Sequence, residues 1–384
     1  MAGDGETKRG TNAAGVILLF GMFQVVLGST VPSGLYAIYE REWDLTRTET
    51  TLVFASYVAG VLCSLLFLGG LADRFGRKPA ILFSVALGVI SSLAFLVATG
   101  LPLLVVARLF SGLSVGLCTG AFTSALSDYY GRSHGSALSA IVTSAALAFG
   151  PLASALIATV LPMPLRVPFI VHVVMLIIVL VGCLRLPAKS APRGHFAQEL
   201  GNASGLFPTK TALFVFLCSA SVIGWAYGAN GMWQSVVPLS LSVVDSQLQI
   251  ASITALMLGV SAIAQWVTLK QSPNAILPFG LVILATGLGV AAYGLKGQLV
   301  WLVIGATVFV GVGQGIAFGS SLGLAAGSAS PHKQATVISL YYLFGYLMTA
   351  ALPLLSNVSG VIPVLYLMVV VTVASLVATR VVVK

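Results

Sequence analysis

Residues 69–78, with the sequence GGLADRFGRK, separate two long apolar segments of the chain. Gly76 can take the backbone angles that a tight bend needs, and the three basic residues of the stretch would hold it at a membrane surface. Asp73 would lie at the edge of the bilayer, where a carboxylate needs charged or polar partners. The stretch therefore predicts a short turn that joins two membrane-spanning helices.

The composition of the whole chain predicts a membrane protein. Of its 384 residues, 58% are hydrophobic and 8% are charged, whereas soluble domains contain about 45–50% apolar and about 25% charged residues. A soluble enzyme and a DNA-binding domain are therefore excluded, and we expect an all-α integral membrane fold. A span needs about 20 apolar residues, and the apolar runs predict twelve spans, at residues 13–36, 50–70, 79–99, 102–126, 136–161, 167–186, 211–240, 248–269, 275–295, 299–325, 334–357 and 361–383.

Lys and Arg residues are unevenly divided between the two sides of these spans. With the N-terminus inside, 14 of them lie inside, four lie outside, and Arg108 lies within a span. Because positive residues concentrate on the cytoplasmic side, both termini are predicted to be cytoplasmic, and the number of spans must be even. The inside set is Lys8, Arg9, Arg74, Arg77, Lys78, Arg132, Arg185, Lys189, Arg193, Lys210, Lys270, Lys333, Arg380 and Lys384, and the outside set is Arg41, Arg47, Arg166 and Lys296.

The two halves of the chain share a glycine pattern. Three glycines at four-residue spacing in the fourth span recur in the tenth, at a shift of 199 residues. Such glycines lie on one helix face and let a second helix approach closely. The repeat predicts two pseudo-symmetric six-helix bundles, at residues 1–186 and 211–384, joined by a cytoplasmic linker at 187–210, and a site between two such bundles is typical of secondary transporters. The glycines are Gly112, Gly116, Gly120, Gly311, Gly315 and Gly319.

The loop at 69–78 closely resembles the signature G-x-L-A-D-R-x-G-R-K of the major facilitator superfamily, and it follows the second span as in that family. Without the resemblance, the loop could equally anchor any membrane protein at the cytoplasmic face. The resemblance covers the whole chain. It implies the major facilitator fold, transport by alternating access, and a monomer in the cell membrane that takes a small-molecule substrate.

Arg108 begins a second stretch, residues 108–116, that resembles the fourth-helix motif R-x-x-x-G-x-G-x-x of the family. An arginine within a span costs several kcal/mol unless it faces protein or water. The resemblance implies a cation on the cavity side that takes part in proton coupling or substrate binding. The alternative is a side chain that extends to the outer interface.

Gly150 and Pro151 in the fifth span resemble part of the antiporter motif G-x-x-x-G-P-x-x-G-G, in which Ala146, Ser154 and Ala155 replace the outer glycines. Pro151 removes a backbone donor and is predicted to bend the helix. The small residues are predicted to pack it closely at the interface between the halves. The motif implies export, and an ordinary membrane-helix proline is the alternative.

Asp128 and Arg132 follow the fourth span and resemble an acid and a base found there in the family. We expect Asp128 to pair with Arg74 or Arg77 of the loop. Together these residues predict a latch that closes the cytoplasmic side in one state. The latch residues are Asp73, Arg74, Gly76, Arg77, Asp128 and Arg132.

Polar and aromatic side chains within the spans are candidates for the substrate site. In the family, helices 1, 4, 7 and 10 line the cavity and helices 3, 6, 9 and 12 face lipid. A cluster of such side chains could form an adaptable pocket, while a single aromatic is more typical of packing or of the interfacial belt; Tyr36 and Trp233 are predicted to be belt residues. The candidates are Gln24, Arg108, Trp225, Tyr227, Asn230, Gln234, Gln314, Tyr341 and Tyr342.

No Asp or Glu lies deep within a predicted span. Exporters of cationic drugs often carry such an acid, so we expect a neutral or anionic amphipathic substrate. Proton coupling is implied by the resemblance alone, and facilitated transport or substrate exchange stays open. Asp73, Asp128, Glu49 and His172 are the candidates for the proton-carrying group, and His172 is alternatively a residue of helix packing.

Efflux of a drug or metabolite, similar to the drug:proton antiporter branch of the family, is the leading hypothesis for function. Import or facilitated uptake of a small organic anion or sugar on the same fold is the alternative. A membrane sensor that transports nothing would need a soluble domain or long tail, which we do not expect. We also expect no enzyme, cofactor, metal site or nucleic-acid partner, because no nucleophile–base set, metal-ligand spacing or nucleotide loop is present.

Overall fold

A computed structural model describes residues 3–68, 71, 75–186, 206–242, 246–329 and 334–382. These residues form helices and no strands, which confirms the predicted all-α class. Twelve long helices lie within these ranges. We number them α1 (Gly3–Thr30), α2 (Arg47–Cys63), α3 (Arg77–Leu96), α4 (Leu101–Tyr130), α5 (Arg132–Val160), α6 (Val167–Leu184), α7 (Lys210–Ser235), α8 (Gln247–Thr268), α9 (Pro273–Lys296), α10 (Val300–Ser328), α11 (Gln334–Ser359) and α12 (Val361–Val382).

Eleven segments of the described residues are long and apolar enough to cross a membrane, and they correspond to α1–α10 and α12. The remaining helix, α11, is 26 residues long. Its composition is as apolar as that of α8. It packs against α2, α7, α10 and α12, so each of the twelve predicted spans corresponds to one long apolar helix.

The first span extends further than its sequence predicts. A 3₁₀ turn, Val31–Leu35, and a short helix, Tyr36–Trp43, continue the chain beyond α1, so the predicted end at residue 36 is wrong. The charged residues after Tyr39 are typical of a loop, but this short helix is amphipathic. It buries Ile38 among others and leaves Arg41 exposed.

A contact of Lys78 defines one end of the bundle. Lys78 at the start of α3 donates hydrogen bonds to the backbone oxygens of Leu184 and Leu186 at the end of α6, so these segments meet at one end. We call this the basic end, and we call the end that carries Tyr36–Trp43 the opposite end.

The shared glycine pattern corresponds to a shared helix pairing. α4 packs on α2 in the first half, and α10 packs on α8 in the second. A Cβ atom at Gly112 would overlap the backbone oxygen of Tyr57, and one at the equivalent Gly311 would overlap that of Met257. Equivalent glycines therefore let equivalent helices touch backbone to backbone in both halves.

Two helix pairs make most of the contacts between the halves. α5 packs against α8, and α2 packs against α11. In contrast, α3, α6, α9 and α12 present large exposed apolar side chains, as predicted for helices that face lipid; examples are Phe83, Ile178, Phe279 and Val370.

Candidate functional site

Arg108 is fully buried between α4 and the end of α1, with 0% of its surface exposed. Its guanidinium donates hydrogen bonds to the backbone oxygen of Ser29, to the hydroxyl of Tyr36, and to Ser33 Oγ at 3.3 Å. Its Nε atom has no partner among the described residues. The alternative that this side chain extends to the outer interface is wrong, because the 3₁₀ turn after α1 supplies acceptors inside the protein.

Three aromatic rings surround the same guanidinium. Arg108 Cζ lies 5.3 Å from the ring centroid of Tyr36, 5.8 Å from that of Tyr57 and 6.0 Å from that of Phe95. Such contacts contribute about 2 kcal/mol or more when the cation is desolvated. Tyr36 is 2% exposed, so its prediction as a belt residue is wrong. Its ring packs against the guanidinium of Arg108, and its hydroxyl accepts a hydrogen bond from it.

Aromatic side chains from both halves meet beside this charge, and we call them the tyrosine cluster: Tyr57, Tyr227, Phe318, Tyr342 and Tyr346. The ring of Tyr227 lies 5.2 Å from that of Phe318 and 5.4 Å from that of Tyr346. Tyr57 of α2 meets Tyr346 of α11 edge-on at 6.5 Å. Since Tyr57 also contacts Arg108, it connects the buried cation of the first half to the aromatic face of the second.

Tyr341 lies at the edge of the tyrosine cluster but points to α10. Its hydroxyl lies 2.7 Å from Ser321 Oγ and donates to the backbone oxygen of Phe318 at 3.3 Å. It is fully buried. These bonds make it a packing residue between α10 and α11.

A chain of polar side chains crosses from the first half to the second, and we call it the amide chain: Ser144, Gln265, Ser261 and Gln314. Gln265 Nε2 on α8 donates to Ser144 Oγ on α5 at 2.9 Å and to Ser261 Oγ at 3.1 Å. Ser261 in turn donates to Gln314 Oε1 on α10. Only Gln314 was among the sequence candidates; a glutamine within the apolar eighth span was the signal for Gln265.

The remaining candidates on α1 and α7 differ in position. Asn230 is buried one turn beyond Tyr227, and its Oδ1 has no partner among the described residues. Gln24 is 7% exposed and Gln234 is half-buried. Trp225 donates to Ser221 Oγ at 3.2 Å, and that hydroxyl meets α12, so Trp225 lies away from the tyrosine cluster.

Trp233 is fully buried, which makes its prediction as a belt residue wrong. Its Nε1 donates to Thr307 Oγ1 on α10 at 3.0 Å. The backbone oxygen of Trp233 accepts a hydrogen bond from Thr254 of α8. Trp233 therefore joins three helices of the second half, through its indole and its backbone oxygen.

Arg77 contacts Asp128 at the basic end, which confirms the predicted pairing of this acid with the loop. Gly76 has φ = +94°, a value that favours glycine, so the predicted tight bend is present. Asp73, Arg74 and the side chain of Arg132 lie outside the described residues.

The Gly-Pro step of α5 packs against the end of α1. A Cβ at Gly150 would overlap Thr30, and one at Gly34 would overlap the backbone oxygen of Pro151. Pro151 lies inside the helix. Leu147 and Ala148 of α5 pack against the core of the second half, so this helix lies at the interface as predicted.

The candidate proton carriers have different surroundings. His172 is buried, with Nδ1 at 2.8 Å from Ser92 Oγ and Nε2 at 2.9 Å from the backbone oxygen of Gln24; both ring nitrogens serve helix packing. Glu49 closes an exposed capping box with Thr46. Asp128 is exposed at the basic end.

Glu40, in the short helix Tyr36–Trp43, is an acid that the sequence reasoning missed. Its Oε1 is buried and has no hydrogen-bond partner among the described residues. It follows Tyr36 by one turn, and side chains at this spacing share a helix face. The sequence signal was hidden because this segment reads as a charged loop.

Comparison with known proteins identifies the family. The profile of the Major Facilitator Superfamily matches residues 18–353. The chain belongs to this family of membrane transporters. It is a multi-pass membrane protein, and the resemblance of the loop at 69–78 is thereby confirmed.

Two relatives in this family are named multidrug resistance proteins. MdtM of Escherichia coli is 26% identical over 290 residues, which make up 71% of this chain and 69% of that protein. MdtL of Shewanella sp. (strain ANA-3) is 38% identical over 73 residues, and the match spans 19% of this chain and 18% of that protein. A crystal structure of a peptide transporter in complex with alafosfalin has a TM-score of 0.74 at 16% sequence identity. The match covers 96% of this chain and 93% of the peptide transporter chain. At this low identity, the similarity supports the fold alone.

Proposed function

We propose that this protein exports neutral or anionic amphipathic small molecules across the cell membrane by alternating access, in exchange for protons. The observation that carries the proposal is Arg108, a buried cation with no carboxylate contact among the described residues. A buried charge is costly without a counter-charge, so the site favours a ligand with negative or partial negative charge. The names of the two relatives support efflux of drug-like molecules.

The substrate would lie between Arg108 and the tyrosine cluster. Aromatic rings with hydroxyl groups suit flat amphipathic molecules, since they offer a large apolar face and a polar edge. The amide oxygen of Asn230, which has no hydrogen-bond partner among the described residues, and the amide of Gln314 would orient the polar part of the ligand.

The two halves would rock about this site. The α5–α8 and α2–α11 contacts would slide as the halves move, and the amide chain fastens α5 to α8 in the described state. At the basic end, the Arg77–Asp128 contact would hold the loop in place, and the predicted latch of Asp73, Arg74, Gly76, Arg77, Asp128 and Arg132 would close the cytoplasmic side.

Glu40 is our candidate for the proton carrier. Its carboxyl lies at the opposite end, one turn from the tyrosine whose hydroxyl contacts Arg108, so the charge state of the acid can act on that arginine through the electrostatic field. We expect Glu40→Gln to remove the acceleration of efflux that a lowered external pH produces in the wild-type protein. Glu42→Gln is the matched control, because this acid is exposed on the same helix.

The effect of Glu40→Gln is measured by comparing initial efflux rates in cells at two external pH values. If Glu40→Gln keeps the wild-type pH response, another acid carries the proton, and Asp73 is the next candidate.

Transport in proteoliposomes tests the proposal as a whole. Purified protein is reconstituted in lipid vesicles with an imposed pH gradient, and the movement of carboxyfluorescein (an anion) is compared with that of ethidium (a cation). We expect gradient-driven movement of the anion, and loss of this movement when a protonophore is added. Transport of ethidium alone would contradict the substrate class, and movement insensitive to the protonophore would contradict proton exchange.

A further inference from the structure

A groove runs between α1 and α6 on the surface that faces lipid. Ile17 and Phe20 of α1 form one wall, and Ile178, Val181 and Gly182 of α6 form the other. Its volume is about 380 Å³. None of the residues that line it belongs to the tyrosine cluster, and the transport site does not account for it.

Gly182 keeps this groove open. A Cβ atom at this position would lie 3.4 Å from the nearest atom of Ile17, which is an ordinary van der Waals contact across the gap. Any larger side chain at residue 182 would therefore fill the groove without a backbone clash. Because the walls are apolar and lie at membrane depth, the occupant must be a hydrocarbon chain.

Arg185 lies at the end of the groove, at the basic end of the bundle. It is exposed, and its guanidinium makes no hydrogen bond or ion pair with the described part of the chain. The backbone oxygens at the end of a helix carry partial negative charge and would repel an anion. Here Lys78 neutralises them by donating to the oxygens of Leu184 at 2.7 Å and Leu186 at 2.6 Å.

We propose that this groove binds an anionic phospholipid, with an acyl chain between α1 and α6 and the phosphate on Arg185. Lipid already surrounds this face, so burial of the acyl chain in the groove gives no selectivity by itself. Selectivity arises from the head group, because Arg185 binds phosphate through a planar fork of donors and the nearby Lys78 adds positive charge. Basic pockets between helices at the cytoplasmic side bind anionic head groups in this way.

Native mass spectrometry of the full-length protein in detergent tests this proposal. Phosphatidylglycerol and phosphatidylcholine with identical acyl chains are added in equal amounts, and the fraction of protein that retains one lipid is measured. We expect phosphatidylglycerol to be retained at least about tenfold more than phosphatidylcholine, which corresponds to about 1.4 kcal/mol. Equal retention of the two lipids would overturn the proposal.

Two variants separate the head group from the groove. Arg185→Gln should remove the preference for phosphatidylglycerol, and Gly182→Leu should remove retention of the lipid by filling the groove. The matched controls are Arg166→Gln, which removes a cation at the other end of α6, and Val174→Leu, which enlarges a lipid-facing side chain of α6 outside the groove. A full phosphatidylglycerol preference in either Arg185→Gln or Gly182→Leu would overturn the proposal, and melting temperatures in detergent verify that each variant is folded.

Discussion

Residues 108 and 307 occupy equivalent positions in α4 and α10, since the shift of 199 residues that relates the glycines also relates them. In the first half, Arg108 contacts the end of α1 through Ser29 and Tyr36. In the second half, Thr307 contacts α7 through Trp233. The helix pairing is thus repeated, but a buried cation in one half corresponds to a neutral hydroxyl in the other.

This difference indicates that the two halves contribute different groups to the site. In the first half, Arg108 is surrounded by hydrogen-bond acceptors and aromatic rings. No acid among the described residues contacts it. The second half supplies most of the tyrosine cluster and most of the amide chain. We infer that the first half senses charge and protons, and that the second half offers the adaptable apolar surface.

The largest expected effect compares the two equivalent residues directly. Arg108→Ala removes at least two hydrogen bonds from a charged donor, each worth about 1.5–3 kcal/mol, so we expect transport to fall at least about 100-fold. Thr307→Ala removes the neutral bond from Trp233, worth about 1 kcal/mol, and a local bond to the backbone oxygen of Val303 on its own helix, which adds little to stability. It should therefore lower transport less than about tenfold. Initial efflux rates at matched expression levels measure both.

Arg108→Lys sharpens the same comparison. It keeps the charge, but a single ammonium cannot replace the planar fork of the guanidinium, so we expect a rate between those of the wild type and Arg108→Ala. Equal losses for Arg108→Ala and Thr307→Ala would mean that the charge does not distinguish the halves.

A second comparison tests whether packing, unlike charge, is the same in both halves. Gly112→Ala and Gly311→Ala each place a methyl group against the backbone of a neighbouring helix, and we expect each to destabilise the protein by about 1–3 kcal/mol. Gly120→Ala is the control, because no atom lies within 4 Å of its new methyl group. Melting temperatures in detergent measure the effect, and a response in only one half would contradict the repeated packing.

A smaller effect concerns the contact between the halves. Gln265→Leu removes the hydrogen bond to Ser144 across the interface, a bond worth about 0.5–1.5 kcal/mol, so we expect the apparent substrate affinity to change about two- to tenfold. Gln298→Leu is the control, since Gln298 bonds only within the second half, to Ser242 among others. An unchanged substrate affinity in Gln265→Leu would show that the amide chain does not contribute to transport.

The helices and their pairing were predictable from local features. Apolar runs of about 20 residues predict spans, and the glycines at 112 and 311 mark close approaches because nothing larger fits there. The pairing of Asp128 with the loop was also predictable, since Arg77 belongs to the loop motif and Asp128 resembles the acid that the family carries after its fourth helix.

The surroundings of single aromatic residues were not predictable. Tyr36 and Trp233 lie near the ends of apolar runs, where an interfacial position is typical, yet both are buried. Their partners, Arg108 and Thr307, are 72 and 74 residues away in sequence. Such partners follow from tertiary packing, and a pattern read along one segment does not contain them.

The interface of α5 and α8 offers the most direct test of the central claim, that the two halves move relative to each other during transport. A Cβ at Gly259 would lie 3.9 Å from the Cβ of Ala148, which suits a disulfide. The variant Ala148→Cys with Gly259→Cys, in a background without the four native cysteines, would join the halves. Gly294→Cys with Leu302→Cys is the control, because the corresponding 3.5 Å separation lies within the second half.

Transport by the cross-halves variant is measured in proteoliposomes after oxidation and again after reduction. Since the halves must move for transport, we expect oxidation to stop transport in this variant, reduction to restore it, and the control to transport in both states. Undiminished transport with the disulfide between α5 and α8 fully formed would show that the halves need not move relative to each other.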